Sequence, residues 1–221
     1  MTLPQGVILD MDDTLFREYD FVVSGYSAVS RALRIEGMTE DALLARLLEI
    51  FQTEDRSRAF DALLTPLGRG DLIPEAVKTY RNHSPDIRLT HEADELVARL
   101  ADVRSLAIVT DGPASMQRQK AQALGVEQRV DAVIYSDDIA GRDSWKPSPV
   151  PYLAAAERLG LPPTECVYVG DNPHKDFLGA HRAGMASIRF RAEWQLHSKC
   201  EADNAHSAAG REVSSLTYLT V

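Results

Sequence analysis

The chain is short of cysteine, has no excess of positive charge and contains no long apolar run, and each lack removes a class of function. Cys166 and Cys200 are the only cysteines among 221 residues. One lies in an apolar stretch and one in a polar tail, which outlines neither a zinc site nor a disulfide framework. Lysine and arginine number 24 against 33 acidic residues, a formal net charge of -9. Nucleic-acid backbones are gripped by clustered cations, so this balance argues against a nucleic-acid partner. No run of about 18 apolar residues is present, the length a membrane helix needs. The start, Met1-Thr2-Leu3-Pro4-Gln5-Gly6, lacks the basic and apolar regions of an export signal. The expectation is a cytoplasmic protein with no membrane partner. Internal repeats and low-complexity tracts are lacking too, and the five histidines other than His174 show no metal-ligand spacing.

What is present is an ordinary apolar share of 44%, enough to bury a real core in one large domain or a core domain with a smaller companion. Five short β-branched runs read as buried strands: Gly6 to Leu9, Ser105 to Val109, Ala132 to Tyr135, Cys166 to Val169 and Ala186 to Phe190. Helical patterns lie between them: His91 to Leu100 after a cap at Thr90, Ala114 to Leu124 before Gly125, Pro149 to Leu159 before Gly160, and Asp176 to Ala183 before Gly184. Strand alternating with helix predicts an α/β fold, a Rossmann-like doubly wound parallel sheet. The stretch from Arg17 to Arg88 breaks the alternation. Leu43, Leu44, Leu47, Leu48 and Phe51 recur at helical spacing, as do Phe60, Leu63, Leu64 and Leu67, and Pro74 suits a helix's first turn. The division expected is a core of residues 1–16 and 89–221 with a small helical domain at 17–88. The polar tail from Ser198 to Gly210 precedes a last short element at Val213 to Leu219.

Polar residues then gather where the apolar runs stop. Val7-Ile8-Leu9 runs into Asp10-Met11-Asp12-Asp13, charges that no buried strand tolerates for packing alone. In open α/β sheets, ligands bind in the crevice beyond the strand ends. Thr110-Asp111-Gly112 follows the second long run; a hydroxyl with backbone amides beside a glycine can cradle phosphate oxygens. Lys146-Pro147 offers the cation that a carboxylate cluster needs. Gly170-Asp171 and Asp176 close the series, with His174 between them. Asp10, Asp12 and Asp171 supply the oxygen ligands that Mg²⁺ prefers, and Asp176 acts one step removed or caps its helix. Several carboxylates in one crevice raise each other's pKa unless positive charge compensates them, so a divalent cation is implied.

In order and spacing, Asp10-Met11-Asp12-Asp13-Thr14-Leu15, Thr110, Lys146-Pro147 and Gly170-Asp171 with Asp176 resemble the four motifs of the haloacid dehalogenase-like (HAD) hydrolase superfamily. The insertion at 17–88 resembles the helical cap of its phosphoglycolate phosphatase-like subclass. The resemblance implies a Mg²⁺-dependent phosphatase hydrolysing a small phosphorylated metabolite through an aspartyl-phosphate. Asp10 would be the nucleophile and Asp12 the general acid and then base, its backbone carbonyl also on the metal. Thr110, the Asp111 amide, Gly112 and Lys146 would hold the phosphate, and Asp10, Asp12 and Asp171 the metal, with Asp176 behind them. Asp12 favours phosphate esters over carbon–halogen cleavage, since the dehalogenase branch lacks an acid there. The resemblance leaves open a phosphotransferase or sugar-phosphate mutase and, further off, a phospho-receiver switch or a silent scaffold. Arg17, Tyr19, Arg56, Arg58 and Tyr80 are candidate substrate contacts. Phe16 to Glu18 and Ile87 to Thr90 are candidate hinges, and the chain is expected to be a monomer or homodimer. Asp13 is expected to be a turn or surface residue.

Overall fold

The computed structural model describes residues 3–53 and 56–220. Among them the strands β1 (Gly6–Leu9), β2 (Ser105–Thr110), β3 (Ala132–Tyr135), β4 (Cys166–Gly170), β5 (Ala186–Phe190) and β6 (Arg211–Val213) form one sheet in the order β3-β2-β1-β4-β5-β6. All five pairings are parallel. Strands covered on both faces have no polar side to show, which is why β1, β2 and β4 are largely apolar and almost wholly buried. The predicted fold class is the observed one, and the five predicted strands match to within a residue.

The sixth strand differs from expectation. The terminal element begins two residues earlier, at Arg211, and splits into β6 and a turn of 3₁₀-helix at Leu216–Tyr218. Two of the three β6 residues are exposed, so this edge strand carries no apolar run to betray it.

The chain divides into two compact units, residues 1–18 with 87–221 and residues 19–86. In the larger, α5 (His91–Ala101), α6 (Ala114–Leu124), α7 (Asp137–Ala140), α8 (Val150–Leu159) and α9 (Asp176–Arg182) connect the strands. Thr90 caps α5, its hydroxyl accepting from the Ala93 amide at 3.3 Å. One core cluster brings Ile8, Ala107, Val109 and Tyr168 of the sheet against Tyr152 and Ala155 of α8 and Phe177 and Ala180 of α9. The smaller unit is helical: Tyr19 to Ala32 of α1 (Glu18–Ala32), then α2 (Glu40–Thr53), α3 (Ala59–Leu64) and α4 (Ile73–Asn82). It is held by an aromatic cluster in which Tyr80 meets Phe21, Tyr26 and Phe60, with ring centroids 5.6 to 5.8 Å apart. Pro74 sits in the first turn of its last helix, where a missing amide costs nothing.

Two register relations position the site. Leu9 lies opposite Ile108 of β2 and Val169 of β4, so the next residue, Asp10, emerges between the ends of those strands, its amide donating to the Val169 carbonyl at 2.8 Å. The chain winds outward from β1 in both directions, which makes this the switch point where a doubly wound sheet leaves a crevice.

Candidate active site

Asp10 is buried, and its two oxygens have different surroundings. Oδ1 receives Lys146 Nζ at 2.5 Å, while Oδ2 has no hydrogen-bond partner. Burial is the main influence on this carboxyl and pushes it up to about 6; Lys146 works in the opposite direction. Lys146 is itself fully enclosed and gives its remaining hydrogens to Asp176 Oδ1 at 2.9 Å and the Tyr168 hydroxyl at 2.8 Å. Burial disfavours the ammonium, yet Asp10 and Asp176 overcome it and hold Lys146 well above its ordinary value. An ammonium has three donors, and all three are used by the protein. What Lys146 offers a phosphoryl group in this arrangement is therefore its charge.

Asp176 is satisfied on both oxygens. Oδ1 meets Lys146 and the Tyr168 hydroxyl, and Oδ2 accepts from the Asn172 amide at 2.8 Å. Burial would raise this carboxyl, but Lys146 and Lys175 reverse the effect and hold it below the usual range. The approach depends on Gly170, because a Cβ there would lie 2.6 Å from Asp176 Oδ2. Asp171 has the opposite character. Its Oδ2 is buried without a partner, and burial followed by Asp176 and Asp10 lifts it well above the ordinary value. Arg189, a buried residue of β5, donates from Nε to the Asp171 carbonyl at 3.1 Å and fixes that strand end.

Asp10, Asp171 and Asp176 each offer an oxygen within 4.8 Å of the others. Ionised together, the three carboxylates would exceed Lys146 and the half-buried Lys175 by one negative charge, and burial raises Asp10 and Asp171 accordingly. The two unpartnered oxygens belong to Asp10 and Asp171. Uncompensated charge and orphaned buried oxygens are what a divalent cation satisfies, so these residues fit one.

The Asp12 carboxylate lies outside that trio; the resemblance assigns its main-chain carbonyl, not its side chain, to the metal. Its Oδ1 receives Lys120 Nζ at 2.5 Å and its Oδ2 the Gln117 amide nitrogen at 2.7 Å. Burial opposes ionisation of Asp12, but Lys120, Lys175 and Gln117 prevail and hold it below the usual carboxylate range. Both side-chain oxygens of Asp12 are thus engaged, one by an ammonium and one by an amide. Asp10 and Asp12, two residues apart, thus have separate cationic partners.

Thr110 ends β2 fully buried, its hydroxyl 2.5 Å from Gln117 Nε2. Because the amide is the donor there, the hydroxyl hydrogen stays available to another acceptor. Gly112 has φ +126, and the place of its absent Cβ lies 3.3 Å from Gln117 Cδ. The glycine expected to let the main chain approach a phosphate therefore also clears room for Gln117. The Asp111 side chain turns away from the cradle, accepting from the Lys146 amide at 2.9 Å.

Asp13 is the turn residue expected, but not a surface one: it is buried with φ 55; Oδ1 accepts from the Glu18 amide at 2.8 Å and Oδ2 from the Leu196 amide at 2.7 Å. Gln195 adds a third tie, donating to the Asp13 carbonyl at 2.7 Å. Burial holds this carboxyl up to about 7. Sequence reasoning missed Gln117, Lys120, Lys175, Tyr168 and Arg189 as well. For Gln117 and Lys120 a signal existed: they share a helical stripe with Ala121 and Leu124, where apolar residues belong.

The candidate substrate contacts are largely engaged elsewhere. Arg56 lies 4.6 Å from the Phe51 ring, Arg58 pairs with Asp61 at 3.5 Å, Tyr19 packs on Phe51 and Tyr80 belongs to the aromatic cluster. Arg17 lies over Trp194. His174 is exposed, 3.4 Å from Asp203. Neither cysteine is in a disulfide; Cys166 is buried in β4 and Cys200 half-buried.

Comparison with known proteins gives consistent results. The model of the family described as haloacid dehalogenase-like hydrolase matches residues 7–190. A glyceraldehyde 3-phosphate phosphatase of Methanopyrus kandleri is 32% identical over 200 residues, covering 85% of this chain and 84% of that one. A phosphoglycolate phosphatase of Xanthomonas campestris pv. campestris (strain 8004) is 31% identical over 192 residues, covering 85% and 83%. Among solved structures, the HAD-hydrolase YfnB of Bacillus subtilis, crystallised with magnesium, superimposes with a TM-score of 0.71 over 98% of this chain and 96% of that one. At 18% identity this last likeness speaks for the fold alone.

Proposed function

The chain belongs to the haloacid dehalogenase-like hydrolase family, and from that premise we propose how its site works. It is a phosphatase that hydrolyses small phosphorylated metabolites. Asp10 is the nucleophile. Its attack on phosphorus expels the alcohol and leaves an aspartyl-phosphate, which water then hydrolyses, so that one difficult displacement becomes two easier ones. The observation that carries this reading is the pair of neighbouring acids with opposite surroundings. Asp10 has a free buried oxygen at the strand ends, and Asp12 is held apart on its own ammonium.

Asp12 moves the proton. In the free protein it is held ionised. A negatively charged phosphoryl group arriving beside it shifts it back toward its protonated form, the form that donates to the leaving oxygen. In the second step the same carboxylate takes a proton from the attacking water. The Thr110 hydroxyl hydrogen and the Asp111 amide hold phosphoryl oxygens, Gly112 keeps the turn open, and Lys146 neutralises charge that builds on the reacting group.

Hydrolases of this family generally use a divalent cation, which here we take to be Mg²⁺ held by Asp10, Asp171 and the Asp12 carbonyl, with Asp176 beside them. Bound there, Mg²⁺ would neutralise phosphate charge and draw the reacting groups together. Lys146 and Tyr168 keep Asp176 in place, and Arg189 steadies the main chain of Asp171.

The helical unit is assigned the role of a cap that admits substrate and selects it, with movement at the two chain crossings near residues 18 and 87. The named relatives point to phosphorylated two- and three-carbon compounds as the first substrates to try. Two unpaired thiols and the absence of a long apolar helix among the described residues accord with a reducing cytoplasm. The deciding experiment is a phosphate-release screen over phosphoglycolate, triose phosphates, sugar phosphates and nucleotides, with and without Mg²⁺. Mg²⁺-dependent release from a small monoester supports the reading. An isomerised phosphosugar without free phosphate would favour a mutase.

A further inference from the structure

We propose that Gln117 and Lys120 are positioning residues that aim the Asp12 carboxylate at the leaving-group oxygen, and that Gln117 ties this aim to the phosphate-binding hydroxyl of Thr110. The proposal rests on the phosphatase reading above and adds to it a device on α6, an element outside the four motifs.

The two residues stand one turn apart on the buried stripe of α6 that continues through Ala121 and Leu124. Neither is solvated: Gln117 is 2% exposed and Lys120 5%. A buried amide and ammonium at positions where apolar side chains would pack are costly unless each has a partner. The partners described for both converge on Asp12. Lys120 Nζ meets Asp12 Oδ1, while Gln117 Nε2 lies 2.7 Å from Asp12 Oδ2, 2.5 Å from Thr110 Oγ1 and 2.6 Å from the Asp111 carbonyl. The Phe16 ring, 5.9 Å from Lys120 Nζ, sits alongside.

Both Asp12 oxygens are therefore held from a single rigid helix, which leaves the carboxylate no freedom to rotate. The Gln117 nitrogen can only donate, its two hydrogens facing three acceptors, so the Thr110 hydroxyl keeps its own hydrogen for the site. One amide thus sets the direction of the proton shuttle and of a phosphate donor together. Asp10 takes no part in this arrangement, being held by Lys146. Nucleophilic attack and proton delivery consequently have separate supports, and damage to one support should appear selectively.

The selective signal is the leaving group. An oxygen that departs readily as its anion needs little help from a general acid, whereas one that departs poorly needs a well-aimed proton. The test measures kcat/KM with Mg²⁺ for 2,4-dinitrophenyl, p-nitrophenyl and phenyl phosphate, in the wild type and in Gln117→Leu, Lys120→Met and Lys120→Arg. Asp12→Asn serves as the benchmark for lost proton transfer. Circular dichroism verifies folding. Gln117→Leu and Lys120→Met should lose on the order of tenfold more on phenyl than on 2,4-dinitrophenyl phosphate, following the Asp12→Asn pattern. Lys120→Arg, which keeps the cation, should recover part of the loss and keep the assay informative if Lys120→Met does not fold. An equal loss across the three esters, or none, would overturn the proposal while the phosphatase reading stands. A wild type that releases phosphate from no monoester would overturn both.

Discussion

Replacing Lys146 by methionine is the most searching stability test of the site. The ammonium is fully enclosed, 2.5 Å from Asp10 and 2.9 Å from Asp176, and methionine matches the stem while removing the charge. Removing one member of a buried ion pair costs about 3–5 kcal/mol, because the other member stays behind uncompensated. For a chain of this size each kcal/mol moves Tm by roughly 2–4 °C, so the shift should be about 6–20 °C near neutral pH. The sign of the pH dependence follows from the acids. Asp176 is held below its ordinary value, so in the wild type it contributes stability that is present above the unfolded value and lost as pH falls. Without Lys146, burial dominates at Asp10 and Asp176, and both become raised carboxyls whose ionisation costs stability as pH rises. The deficit should be widest at about pH 7–8 and narrowest near pH 4. Thermal unfolding of the cation-free protein followed by circular dichroism over that range reads both effects. A loss under about 1 kcal/mol at neutral pH, or one that does not shrink on acidification, would refute the argument.

Further expectations follow from single contacts. Burial raises Asp10 to about 6 and lifts Asp171 well above its ordinary value, so protons compete with a cation there. Calorimetric titration with Mg²⁺ should show affinity falling as pH drops below about 6, by up to tenfold per pH unit for each proton displaced; a pH-independent affinity would contradict this. Gly170→Ala forces a Cβ to within 2.6 Å of Asp176 Oδ2, and should cost about 1–3 kcal/mol in urea unfolding while weakening Mg²⁺ binding. At Asp13, alanine and glycine both strand two amides, but alanine keeps a Cβ at φ 55 and glycine does not. Asp13→Ala should therefore be the less stable of the two by roughly 1 kcal/mol, and equal stabilities would remove the backbone part of the account.

Most of the fold was legible because parallel strands buried on both faces leave apolar runs, as β1, β2 and β4 do. The same logic made Asp10, Thr110, Lys146 and Asp171 visible, as polar residues standing at or beyond the ends of those runs. Legibility stopped where a residue's task depends on distant partners. Asp13 is buried by Gln195 and Leu196, more than 180 positions away, and nothing local distinguishes it from a surface turn acid. Gln117 and Lys120 look like ordinary solvated helix residues until their register with Ala121 and Leu124 is noticed. Edge strand β6 is exposed, and α7 spans four residues, too short for periodicity to register.

The central claim is that phosphate passes through Asp10. Acid quenching during turnover of p-nitrophenyl phosphate with Mg²⁺, followed by peptide mass spectrometry, tests it directly. The account predicts a phosphoryl group on the peptide containing Asp10 in the wild type, and neither that group nor phosphate release in a folded Asp10→Asn variant. A phosphoryl group on another residue, or undiminished phosphate release by Asp10→Asn, would contradict it.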